Sequence, residues 1–238
     1  MRLSKYLFAI LCVLTSYIYA QDNVAQSSLG ITLNYAKGHQ EFKDLYFKQH
    51  EKEFIRLVNE GQNPNALFIG CSDSRIVPDL ILGTKPGDLF VIRTAGNFVP
   101  TYEEDEDNGV SATIQYAIEV LKIKHIIVCG HSHCGAIQGL YKDLNNLNIL
   151  KRWLKWGESA KKIALLTSKS DILKEELYAI TEQLSVIYQL DHLMSYPFIK
   201  SAVKKGDLQL HGWYYEIESG TITYYDPDLY QFIRLQKK

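Results

Sequence analysis

The sequence predicts an α/β protein: a mainly parallel central β-sheet flanked by helices, preceded by a helical N-terminal arm and closed by a C-terminal β-hairpin. Three observations carry this expectation. Short apolar runs bounded by turn residues recur at 66–70, 89–92 and 125–129, the pattern of strands buried on both faces. Segments with helical apolar spacing separate them, and strands alternating with helices build parallel sheets. Residues 208–225 are rich in β-formers around Ser219-Gly220, the composition of a hairpin.

The chain opens on Arg2 and Lys5, continues with an apolar stretch over 6–16, and places Ala20 ahead of Gln21-Asp22. A positive end, a short hydrophobic run and a small residue are the layout of a secretory signal. The run is too short to span a bilayer comfortably as a permanent helix. The expectation is a cleaved signal peptide over 1–20 and a single domain over 21–238. The mature protein is expected to be exported, to the periplasm by default, and not to span a membrane.

After a polar stretch near 23–28, apolar residues return at Phe42, Leu45, Tyr46, Phe54, Ile55 and Val58. Their spacing predicts the arm helix over about 38–60, which Gly61 and Pro64 end. Val110, Ile114, Ala117, Ile118 and Leu121 predict a helix over 109–121, and a further helix follows the third strand over 135–141. Residues 149–205 read as helical, interrupted near 168–170 and at Pro197.

A formal net charge of −1 removes the simple argument for a nucleic-acid partner, which needs a basic face for phosphates, and none is expected. The 16 tyrosines fit an interface core as well as a folding core, a hint of self-association. Of four cysteines, Cys12 leaves with the signal. An odd remainder of Cys71, Cys129 and Cys134 is no disulfide framework. It suits two metal ligands and one buried thiol, and Cys129, inside an apolar strand, reads as the buried one.

The chemistry concentrates where two predicted strands end. The first gives Cys71-Ser72-Asp73-Ser74-Arg75 and the second Gly130-His131-Ser132-His133-Cys134-Gly135. Sites in open α/β sheets form at such ends, so the two loops can meet in one crevice. Two cysteines and a histidine leave a tetrahedral zinc one open position, the arrangement of a catalytic centre. Either His131 or His133 could supply the imidazole on this pattern alone. Asp73 can accept a hydrogen bond from water in such a site, and Arg75 beside it keeps that carboxylate ionised and off the metal.

These two motifs, in this order, resemble those of the β-class carbonic anhydrases. Pro86-Gly87-Asp88-Leu89-Phe90-Val91-Ile92-Arg93 and Ala95-Gly96-Asn97 are similar to the family's linking segment. His211-Gly212-Trp213-Tyr214-Tyr215 and Ile217-Glu218-Ser219-Gly220 are similar to its C-terminal hairpin, notably in the plant-like and cyanase-associated subgroup. The resemblance covers nearly all of the mature chain. It implies reversible hydration of carbon dioxide to bicarbonate, one Zn2+ per chain held by Cys71, His131 and Cys134, and a catalytic dyad of Asp73 and Arg75. It further implies that Gln62, Phe90, Ala95, Tyr116 and Gly135 bind substrate, and that the chain is a homodimer or a dimer of dimers. In that arrangement Gln62 and Tyr116 reach the site from the partner chain. Ala95 stands where plant enzymes often carry valine and Thr94 where asparagine is usual, departures that reshape the pocket and touch no ligand. One β-class subgroup has a second, inhibitory bicarbonate pocket built on a tryptophan three residues before the first cysteine ligand. Phe68 occupies that position here and has no indole N–H, so cooperative inhibition is not expected even though Arg93 is present.

Two other readings keep the same residues: hydrolysis of a related heterocumulene such as carbon disulfide or carbonyl sulfide, and a zinc-binding protein without catalysis. The second needs a fourth protein ligand and has no use for a dyad. Elsewhere, His133 reads as an exposed loop residue, the acidic run over 103–107 as a solvated loop, and His211 as structural. Trp153 and Trp156 read as core or dimer packing.

Overall fold

The computed structural model describes residues 29–105 and 108–235, in two units divided after Gly61. The expected signal over 1–20 and the last two residues of the acidic run lie outside the described residues. Among those described, no helix is long and apolar enough to cross a membrane.

The first unit is the arm. It is already helical at residue 29 (α1, residues 29–42), ahead of the expected start near 38, and passes through a π-turn at Lys43–Phe47 into α2 (Lys48–Glu60). It is not one straight helix. The backbone breaks at His50 (φ −115°, ψ 15°), where the ring stacks on Tyr46 at 4.3 Å and Nδ1 donates to the Tyr46 carbonyl at 2.8 Å. The break lets Phe54 reach Phe47 at 5.0 Å and Phe42 at 6.1 Å, contacts that a straight helix rising 1.5 Å per residue keeps apart. Leu45, Ile55 and Val58 of the arm remain exposed.

The second unit is a six-stranded sheet in the order β2-β1-β3-β4-β5-β6. Strands β2 (Leu89–Thr94), β1 (Ala66–Cys71), β3 (His125–His131) and β4 (Gln209–Glu216) are mutually parallel, as expected for apolar runs separated by helices. The expected C-terminal hairpin is present, with β4 and the next strand paired antiparallel across Ser219-Gly220, and the sheet extends it at both sides. The hairpin's first strand, β4, is the fourth parallel strand. β5 (Thr221–Asp226) and an unforeseen β6 (Gln231–Arg234) then add antiparallel. β6 is four residues long and half exposed, too short for apolar alternation to announce it.

The helices are α3 (Pro78–Leu82), α4 (Gly109–Gln115, running into a π-turn at Tyr116–Val120), α5 (Gly135–Gly139) and α6 (Asn148–Leu154). They continue with α7 (Glu158–Thr167), α8 (Lys174–Met194) and α9 (Pro197–Lys205). Pro197 breaks the helical run where expected because a proline at N1 starts a helix without losing a bond. Side chains alternate across the sheet. Leu67, Ile69, Ile126 and Val128 enter one core cluster; Phe68, Ile127 and Cys129 enter another. Cys129 is a core thiol, as read, with its pKa pushed up to about 12 by burial.

Candidate metal centre

Parallel pairing places the ends of β1 and β3 side by side, with Gly70 opposite Cys129. β1 ends on Cys71 and β3 on His131, while Cys134 caps the short helix α5. The candidate ligand atoms of Cys71, His131 and Cys134 all lie within 4.8 Å of one another, and all three residues are buried. Sixty residues of sequence separation are thus closed by strand register alone.

The backbone decides between the two histidines. The Ser132 carbonyl lies 2.8 Å from His131 Nδ1, and since a carbonyl only accepts, that nitrogen carries the proton. Nε2 is left with its lone pair, buried and without a partner. His133 adopts a left-handed backbone (φ 56°), is exposed, and turns its Nε2 to Glu218 Oε1. Glu218 also accepts the Ser132 hydroxyl at 2.9 Å, and that hydroxyl accepts the Ile217 amide at 2.9 Å, so the hairpin braces the loop.

Amides from two loops point at the first thiol: Asp73 N–H and Gly96 N–H each lie 3.4 Å from Cys71 Sγ. A hydrogen bond from Cys134 lowers the Cys71 pKa most, and these two amides add to it, while the same contact raises that of Cys134. Buried thiols favouring one thiolate, and a histidine presenting a bare Nε2, form a donor set that zinc fits. Donors within 4.8 Å of one another can close on a tetrahedral zinc, whose bonds are about 2.0–2.3 Å, with small side-chain shifts, and a buried orphan nitrogen needs such a partner.

Asp73 stands half-buried beside this set. Arg75 donates from Nε to Oδ1 at 2.9 Å, from Nη2 to Oδ2 at 2.7 Å, and from its amide to Oδ1 at 3.0 Å. These bonds, the side-chain ones first, hold the carboxyl well below the usual carboxylate range. Arg93 donates to the carbonyls of Cys71 and Asp73 at 2.9 and 2.6 Å, so it serves the ordinary loop. Phe68 is buried in the core.

The substrate residues divide. Ala95 lies beside Gly96 and accepts Trp153 Nε1–H at 2.8 Å, and Gly135 opens α5 with free space where a Cβ would stand. Phe90 and Tyr116 instead pack on each other at 5.8 Å. Phe90 pairs in register with Leu67, four residues short of Cys71, about 13 Å along the strand. Gln62 is exposed in the segment before β1.

Glu182 of α8 escaped the reading of the sequence. It is 3% exposed, its Oε1 accepts the Cys134 amide at 2.8 Å, and its Oε2 accepts the Tyr214 hydroxyl at 2.8 Å. Burial raises its pKa. The available signal was a carboxylate in the row Glu182, Val186, Gln189, Leu193, the helix face that carries the buried residues.

Two buried thiols and an imidazole at the carboxyl ends of parallel strands make a cluster able to hold one metal ion, the kind of site that metal-dependent enzymes carry there. The carbonic anhydrase family model matches residues 66–222. The chain belongs to the carbonic anhydrases, and to their β class. It is 43% identical over 206 residues to a carbonic anhydrase of Synechocystis sp., covering 85% of this chain and 74% of that one. It is 39% identical over 200 residues to carbonic anhydrase 1 of Escherichia coli O157:H7, covering 83% and 90%. The solved β-carbonic anhydrase CcaA superposes with a TM-score of 0.81 at 40% identity, covering 87% of this chain and 93% of the other. A tetrameric β-carbonic anhydrase of Sordaria macrospora gives 0.71 at 32%, covering 81% and 96%.

Proposed function

We infer that this chain catalyses the reversible hydration of carbon dioxide to bicarbonate and a proton, with one zinc per chain held by Cys71, His131 and Cys134. The observation that carries this is the three-donor cluster with a bare His131 Nε2 beside the Asp73–Arg75 pair. Zinc in such a set supplies Lewis acidity, bringing the pKa of a bound water to about 7.

The chain's own residues do the rest. A carboxylate offers about four acceptor positions, and Arg75 fills three of those on Asp73. The remaining one, on Oδ2, accepts a hydrogen bond from the attacking water and orients it. Arg75 keeps Asp73 charged and turned to that task. The Gly135 amide, at the open start of α5, donates to developing oxygen charge, and Ala95 lines the pocket.

Gln62, Phe90 and Tyr116 complete the pocket from a second copy of the chain. Support comes from Phe90 and Tyr116 packing away from the metal cluster of their own chain. The assembly is a homodimer or a dimer of dimers, joined in part by the exposed apolar residues of the arm. Residues 1–20 act as a cleaved signal peptide, residues 21–238 form the catalytic domain, and the mature enzyme works in the periplasm.

Stopped-flow hydration of carbon dioxide by the zinc-loaded mature protein, run beside carbon disulfide hydrolysis, tests the function. Acceleration of the first alone is expected. Turnover of carbon disulfide without carbon dioxide hydration would move the assignment to that substrate, and zinc binding without either activity would leave a structural metal protein.

A further inference from the structure

The geometry points to Glu182 as a positioning residue for the metal centre, acting through the backbone of Cys134. This inference rests on the zinc reading above and goes beyond the residues of the two loop motifs.

α8 carries an unusual buried face for a helix: Thr181, Glu182, Ser185 and Gln189 are all at most 3% exposed. Uncompensated polar groups there would be costly, and two of them are committed to the loops that flank the metal cluster. Glu182 Oε1 accepts the Cys134 amide at 2.8 Å. Gln189, two turns on, accepts the Val99 amide at 2.8 Å and donates to the Trp156 carbonyl at 3.0 Å. Val99 is three residues beyond Gly96, whose own amide faces Cys71 Sγ. One helix face thus holds the third ligand's loop directly and steadies the segment beside the first ligand.

The helix reaches those loops because two glycines leave the sheet without side chains beneath it. A Cβ added to Gly130 would stand 2.6 Å from Val186 Cγ2, and one added to Gly212 would stand 3.0 Å from Val186 Cγ1. These glycines lie on the neighbouring strands β3 and β4. Val186 seats over them, and Glu182, one turn earlier and about 6 Å along the axis, meets the Cys134 amide just beyond the end of β3. Tyr214, opposite Gly130 in register, supplies the second bond to the carboxylate. Two glycines, one valine and one tyrosine therefore fix where the carboxylate stands.

Partners that orient ligands are worth about 10–100-fold in metal affinity. The test compares zinc transfer to a chromophoric chelator from the full mature protein and its variants, together with the thiolate-to-cobalt absorption of the Co2+-substituted forms. Glu182→Ala is expected to release zinc at least about 10-fold faster and to alter the cobalt band. Glu182→Gln, whose amide oxygen can accept the same N–H, is expected to stay within a few-fold of the parent. Glu182→Asp keeps the charge but withdraws the oxygen by one methylene, and should behave like the alanine variant. If Glu182→Ala does not fold, the Gln and Asp pair carries the comparison. Parent-like zinc release and cobalt spectra in both Glu182→Ala and Glu182→Asp, or in Glu182→Asp alone where the alanine variant fails to fold, would overturn the inference. A parent protein that takes up no zinc would sink the metal-centre reading itself.

Discussion

Arg75 grips both carboxylate oxygens of Asp73 and, from the same Nη2, reaches the His133 carbonyl at 3.1 Å. The Asp73–Arg75 pair on the first loop is therefore tied to the second loop, between His131 and Cys134. Removing the charge of Asp73 should damage turnover without emptying the metal site. Asp73→Asn is expected to lower kcat/KM by about 100-fold or more, the scale of a positioned proton acceptor, with zinc content unchanged by mass spectrometry. Full activity in that variant would remove Asp73 from the mechanism.

The same pair sets an expectation for pH. A depressed carboxylate pKa stabilises the fold above the unfolded value of about 3.9, and that contribution is lost only as pH falls through the lower folded value. Asp73 lies on that side, so it stays charged across the neutral range. Activity should then decline with acid as a single titration near pH 7, with no cooperative inhibition by bicarbonate. A multi-proton collapse of the rate between about pH 7 and 8, with Asp73 bound to the metal, would contradict this.

The three described cysteines divide into two kinds, and substitution separates them. Cys134→Ser should lose zinc and activity together. Cys129→Ala should keep one zinc per chain and lose only packing, about 1–3 kcal/mol in urea unfolding. Full zinc and full activity in Cys134→Ser would disprove the ligand assignment.

A site completed by a second copy predicts complementation. Gln62→Ala and Asp73→Asn should each be weak alone. Mixed and allowed to exchange, they should recover part of the activity, because one mixed site receives both native residues. Sedimentation should show at least a dimer at micromolar concentration. A fully active monomer would refute the shared site.

Export predicts cleavage after Ala20, leaving Gln21 at the new N-terminus. Intact-mass measurement of the exported protein checks it, and a retained Met1–Ala20 segment would show the signal reading to be wrong.

Much of this molecule is written in one dimension. Parallel strands buried on both faces must be continuous apolar runs, so β1 and β3 were legible, while β2, read the same way, is an edge strand with only Ile92 buried. Zinc ligation depends on residue type, and the two cysteines with their neighbouring carboxylate and guanidinium were visible at the strand ends. Cys129 was legible as core because an apolar strand surrounds it. What sequence spacing alone left open was anything set by direction or by distant packing. From the pattern of residue types, His131 and His133 are equivalent candidates; the left-handed backbone at His133 and the Ser132 carbonyl on His131 Nδ1 separate them. The break at His50 goes with aromatic contacts between residues up to twelve apart, outside the reach of helical periodicity. β6 exists because β5 offers it an edge. Glu182 reads as one more polar residue of a long helix until Gly130 and Gly212 let α8 sit close enough for it to meet the Cys134 amide. Residue chemistry is local and survives in the sequence, whereas the approach of two surfaces is a property of the folded chain.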